Sequence, residues 1–154
     1  MTIAEEMKLP EGEIETIREA CQLHDLGKIG IPDLILSKSG PLTSEEWVSI
    51  KAHSLKGTQI LEPLAFLEDV VKLVKVHHER YDGKGYPMGI KGEDIPLGAR
   101  IIALSDAYDA MTSPRAYRKI PLIKQEAIEE IKRNSGSQFD PKVVEVFLKI
   151  VDRI

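Results

Sequence analysis

The sequence predicts an all-α protein. Apolar residues recur at helical spacing, alternation of the strand kind is scarce, and helix caps stand at the starts of two periodic runs. Residues 2–8 fit the tail of a helix that begins further upstream. From Glu13, the positions Ile14, Ile17, Cys21 and His24 follow one helical side, and the run ends near "GKIGIPD". Thr43 followed by Glu46 makes a capping box, which opens the next helix at "SEEWVSIKAH". Residues 69–79 place Val70, Leu73, Val74 and His77 along one side of a third helix. Residues 80–97 hold five glycines or prolines before Pro96 and read as loop. "GARIIALSDAYDAMTS" is a buried helix with Ala99, Ile102, Ala103, Asp106 and Ala110 on one face. Two helices follow, over 122–133, stopped at Gly136, and over 141–152, where Asp140 is the N-cap and Pro141 the first residue.

The 154 residues fit one domain, 1–154. A chain of this size buries roughly 70% of its unfolded surface, enough for one sizeable core. Hydrophobic residues make up 42% and charged residues 30%, as in ordinary globular proteins. A net charge of −4 excludes binding to nucleic-acid polymers through bulk positive charge, but leaves room for a local basic pocket. Cys21 is the only cysteine, so neither an internal disulfide nor a zinc site built of cysteines can form. That fits a reducing cytoplasm. No apolar run nears the roughly 20 residues that span a bilayer. The first residues lack the basic-then-apolar order of a signal peptide. The expected setting is cytoplasmic, with no membrane segment in this chain.

The chemistry is concentrated in four histidines and two acids. His24 and Asp25 close one predicted helix, His53 lies on the next, and His77 and His78 on the third. Asp106 interrupts the most apolar helix. Taken alone, Asp106 could be an ion-pair partner of Arg100 or Arg115. A carboxylate on such a face needs a partner or a metal to offset its desolvation. Imidazoles and carboxylates converging from four helices would meet that need around divalent ions. Nitrogen and oxygen donors without thiolate suit iron, manganese, nickel or zinc better than calcium or magnesium. Asp25 could offer one oxygen to each of two ions, and water held between them becomes a nucleophile near neutral pH.

The segments "LHDLGKIGIPD" (23–33), "HHERYDGKGYP" (77–87) and "ARIIALSDAYDAMTSPRAYR" (99–118) resemble the HD-GYP family of the HD phosphohydrolase superfamily. The resemblance runs from about residue 2 to the C-terminus. It implies an HD-type helical bundle around a two- or three-metal site, with iron or manganese favoured and zinc or nickel as alternatives. It also implies hydrolysis of cyclic di-GMP to pGpG or GMP.

Carried over by position, His24, Asp25, His53, His77, His78 and Asp106 are the metal ligands. Lys28 matches the lysine that neutralises the scissile phosphate, and Arg115 and Arg118 match basic positions that contact substrate phosphate. Tyr86 lies in the namesake segment beside the guanine region, where Gly83 and Gly85 would let the backbone turn. Signalling proteins docking on that loop and a homodimer are further expectations.

Members of the family carry another histidine about one helix before the HD pair. None of the 23 residues before His24 is histidine. The first helix of the domain is therefore expected to be missing, which leaves the His24 side one ligand short. Two alternatives follow: an impaired module that binds nucleotide or a partner protein, and a hydrolase of another phosphate ester.

Overall fold

The structure is a computed structural model that describes residues 2–114 and 120–153. Its helices are α1 (Ile3–Glu6), α2 (Glu11–Leu23), α3 (Asp33–Leu36), α4 (Ser44–Lys51), α5 (His53–Leu61), α6 (Glu68–Val76), α7 (Leu97–Thr112), α8 (Lys124–Arg133) and α9 (Pro141–Ile150). Among the described residues there is no strand, only an isolated bridge between Ser135 and Phe139. Nor is any helix among them long and apolar enough to cross a membrane.

α7 is the axle of the bundle. It packs against α1, α2, α6, α8 and α9, while α5 packs on α6. Its Ala99, Ile101, Ile102 and Leu104 are buried, which is why this helix reads as apolar on more than one face. The facing positions are those the periodicity picked out: Ile14 and Ile17 on α2, and Val70, Leu73 and Val74 on α6. Burying a side chain of this kind contributes about 1.5–3 kcal/mol.

Two expectations are corrected here. Ile3–Glu6 is a capped turn, not the tail of a longer helix. The Thr2 hydroxyl accepts from the Glu5 amide, and the Glu5 carboxyl accepts from the Thr2 amide. This T-x-x-E box has the same form as the one found, as expected, at Thr43 and Glu46. The second correction concerns Arg100, which pairs with Asp140 at 2.5 Å and not with Asp106. Asp140 also caps α9 by accepting from the Lys142 amide at 2.8 Å. Both partners are largely dry, so removing either would cost about 3–5 kcal/mol.

The run after α2 is a 3₁₀ turn, Leu26–Gly30, folded tightly against α5. Gly27 makes that approach possible. A side-chain carbon there would lie 1.9 Å from the His53 carbonyl oxygen and 2.5 Å from the Gly57 nitrogen. The close approach brings the residues just before it, His24 and Asp25, up to the start of α5.

Candidate metal centre

Three of the four histidines are set by one local device. His24 ends α2, His53 opens α5 behind α4, and His77 ends α6. Each ring Nδ1 lies 2.6–2.7 Å from the carbonyl oxygen three residues earlier, on Cys21, Ile50 and Val74. Those carbonyls belong to the last turns of helices, where backbone acceptors lack an intrahelical partner. A carbonyl can only accept, so each Nδ1 is the donor, and the neutral ring then carries a bare lone pair on Nε2.

The bare nitrogens face one another. His53 Nε2 is 3.3 Å from His77 Nε2 and 3.2 Å from His78 Nε2. One ligand atom from each of His53, His77 and His78 lies within 4.8 Å of the others. Two lone pairs at 3.3 Å repel unless a proton or cation sits between them, and burial makes protonation costly. Burial pushes His77 down to about 4, and it also lowers His53 and His78. This cluster of nitrogens is able to hold a metal ion.

The oxygens lie beside it. His24 Nε2 is 3.5 Å from Asp25 Oδ2 and 3.7 Å from Asp106 Oδ1. Asp25 Oδ1 points the other way, 3.6 Å from His53 Nε2. Asp25 thus turns one oxygen toward each group of histidines. Both His24 Nε2 and Asp25 Oδ1 are buried without a hydrogen-bond partner, as befits donor atoms for a cation. Burial works against a charge on His24, but the Asp106 and Asp25 carboxylates beside it prevail, so its pKa is raised. Burial likewise opposes the charge on Asp106, yet contact with His24 holds its pKa well below the ordinary carboxyl range. The donor set fits a metal centre with mixed nitrogen and oxygen ligands.

Lys28 Nζ donates to Asp25 Oδ2 at 2.6 Å, so the lysine stands beside the acid between the two groups. Tyr86 stacks obliquely on His78 with ring centroids 4.8 Å apart, and the Lys51 ammonium lies 5.4 Å from the tyrosine ring centre. Arg115 and Arg118 lie outside the described residues.

His53, His77 and His78 open into a cleft of about 910 Å³. Lys28, Asp106 and Tyr86 share its floor with them, while Ile35, Leu36, Leu42, Trp47 and Ile50 line an apolar wall. That wall is absent from the reading of the sequence. Trp47 stands there only as part of a capped helix, although a lone tryptophan beside two acids is a poor core residue. It remains 48% exposed.

A helical bundle that turns imidazoles and carboxyls inward from several helices defines the class of HD-type proteins. The HD domain profile matches residues 1–143, and the chain belongs to that family. It is 45% identical over 154 residues to a protein of Thermotoga maritima named cyclic di-GMP phosphodiesterase, covering 99% of this chain and 42% of that protein. It is 38% identical over 143 residues to a Vibrio cholerae protein named 3'3'-cGAMP-specific phosphodiesterase 2, covering 92% and 27%. The chain therefore spans less than half the length of these relatives.

Among solved structures, a cyclic GMP-AMP specific phosphodiesterase from V. cholerae superposes with a TM-score of 0.72 at 26% identity, over 97% of this chain and 41% of that one. An HDG"Y"P protein from Bdellovibrio bacteriovorus gives 0.76 at 18% identity, over 98% and 48%, and shows likeness of fold alone.

Proposed function

We propose that this chain is a metal-dependent phosphodiesterase domain acting on cyclic di-GMP or a closely related cyclic dinucleotide. One observation carries the reading: the two oxygens of Asp25 face His24 on one side and His53 on the other, and His53, His77, His78 and Asp106 line a cleft sized for a small molecule. In this reading His53, His77 and His78 would hold one ion and His24 and Asp106 another, with Asp25 able to serve as a ligand to each. Iron or manganese is favoured, with zinc or nickel as alternatives. When bound, such ions neutralise phosphate charge and lower the pKa of water.

The protein's own part is orientation and charge. The Nδ1 bonds to Cys21, Ile50 and Val74 fix which nitrogen each ring presents. Lys28 places a point charge where the non-bridging phosphate oxygens would lie. Tyr86 and Trp47 offer aromatic faces to the bases, and the apolar wall excludes water from one side of the cleft. Arg115 and Arg118, by their place in "SPRAYR", add cations for the phosphate. The reaction adds water across one phosphorus–oxygen bond of the ring, which opens it to a linear dinucleotide with a terminal phosphate.

Incubating metal-loaded protein with cyclic di-GMP and separating the products tests the proposal. Linear pGpG or GMP is expected, and intact substrate with every candidate metal would overturn it. A second reading, selectivity for 3'3'-cGAMP, is favoured by the V. cholerae relatives that bear that name. Rates compared over both cyclic dinucleotides and their linear products separate the two.

A further inference from the structure

Glu79 follows the paired histidines directly, is 3% exposed, and has no part in the centre described above. Its Oε1 accepts from the Met88 amide at 2.6 Å and from the Gly89 amide at 3.0 Å. Those two amides come immediately after Tyr86 and Pro87. A buried acid on the histidine-bearing segment therefore grips the far limb of the loop nine and ten residues later.

The loop is pressed against the same segment. The Tyr86 amide donates to the His78 carbonyl at 3.3 Å. A side-chain carbon at Gly85 would lie 2.3 Å from the Arg80 nitrogen and 2.5 Å from the Glu79 Cα. The near limb is held from outside, by the turn before α9. There the Tyr81 amide donates to Gln138 O at 3.2 Å, the Asp82 amide to Ser137 O at 2.8 Å, and Arg80 Nη1 to Gln138 Oε1 at 3.3 Å. The near limb is held through its own backbone, whereas the Met88 and Gly89 amides are held by one side chain.

We propose that Glu79 is a positioning residue: through the Met88 and Gly89 amides it holds the Tyr86 ring against His78 and so fixes the aromatic wall that receives the nucleotide. The inference rests on the reading of the cleft as a cyclic dinucleotide site. Its physical basis is separate: among the described residues the Met88 and Gly89 amides share one acceptor, the carboxyl of buried Glu79. An acceptor is required there and a charge is not, so Gln should serve and Ala should not.

Three variants test it: Glu79→Ala, Glu79→Gln and Glu79→Asp, which keeps the acid but falls one methylene short. In Glu79→Ala the KM for cyclic di-GMP should rise roughly tenfold to a hundredfold, with metal content unchanged. Glu79→Gln should restore most of the loss. Glu79→Asp should move KM the same way by less, and it carries the test if the alanine variant does not fold. In a Tyr86→Ala background, Glu79→Ala should add little, since both changes remove the same ring from its place.

NMR of the Tyr86 ring resonances reads the positioning with no nucleotide present. They should leave their His78-shifted values in Glu79→Ala and keep them in Glu79→Gln. Unmoved Tyr86 resonances in Glu79→Ala, or a Gln variant as damaged as the Ala one, would overturn the proposal. A wild type that cleaves no cyclic dinucleotide would overturn the function and leave the NMR outcome to decide this inference.

Discussion

The two halves of the centre are built to opposite electrostatic designs. His53, His77 and His78 form a nitrogen half that is nearly dry, and burial drives all three pKa values down. His24, Asp25 and Asp106 form a mixed half, more open to solvent, in which His24 is pushed up and Asp106 down. The mixed half sets the His24 ring beside two carboxylates, which favour a charge on it. The nitrogen half has no acid of its own and borrows Asp25 Oδ1 at 3.6 Å. The difference assigns Asp25 a singular place, because it sets one oxygen within 3.6 Å of a histidine nitrogen in each half.

The largest effect should therefore come from Asp25→Ala. Loss of metal from both halves is expected, with activity falling by more than the ~10–100-fold typical of outer-sphere partners. Elemental analysis reads this, and unchanged occupancy would refute the bridge.

Single-histidine changes should split the comparison. His53→Ala should empty the nitrogen half and leave the ion beside His24, whereas His24→Ala should do the reverse. Equal losses from both variants in metal titrations would mean that the halves are not separate.

Lys28→Ala should spare the metal and lower kcat by ~10²–10³-fold, the usual cost of removing one preorganised charge partner. A fall in metal content instead would make Lys28 a support for Asp25, with which it pairs at 2.6 Å. Trp47→Ala is the mildest of these changes. It should raise KM by the roughly 5- to 150-fold that 1–3 kcal/mol of base stacking represents, with kcat and metal content little changed. Quenching of the protein's only tryptophan by added cyclic di-GMP provides a direct check.

Much of this site was legible before any coordinates. His24 ends its helix as the periodicity indicated, Thr43 and Glu46 make the expected box, and Asp140 caps α9. The loop over 80–97 is mainly loop, with a single 3₁₀ turn at Gly92–Asp94. Each of these signals is local: a cap, a period or a breaker acts within a few residues. The misreadings were local signals with more than one solution. Residues 2–8 carry both helical periodicity and a complete T-x-x-E box, and the box decides where the helix starts. Arg100 had several acids within plausible reach, and only packing could choose Asp140 over Asp106.

The sequence alone determined the donor types and the helices that bear them. With four histidines, two well-placed acids and no thiolate but Cys21, a nitrogen–oxygen metal centre was the chemistry available. Tertiary structure decided what spacing cannot express: that Asp25 turns its two oxygens opposite ways, that Trp47 joins the cleft wall, and that Glu79 ties down the loop beyond Tyr86. The physical reason is range. Periodicity and caps record forces between residues a turn apart, whereas direction and partnership across the bundle are set only when α5, α6 and α7 close on the turn after α2.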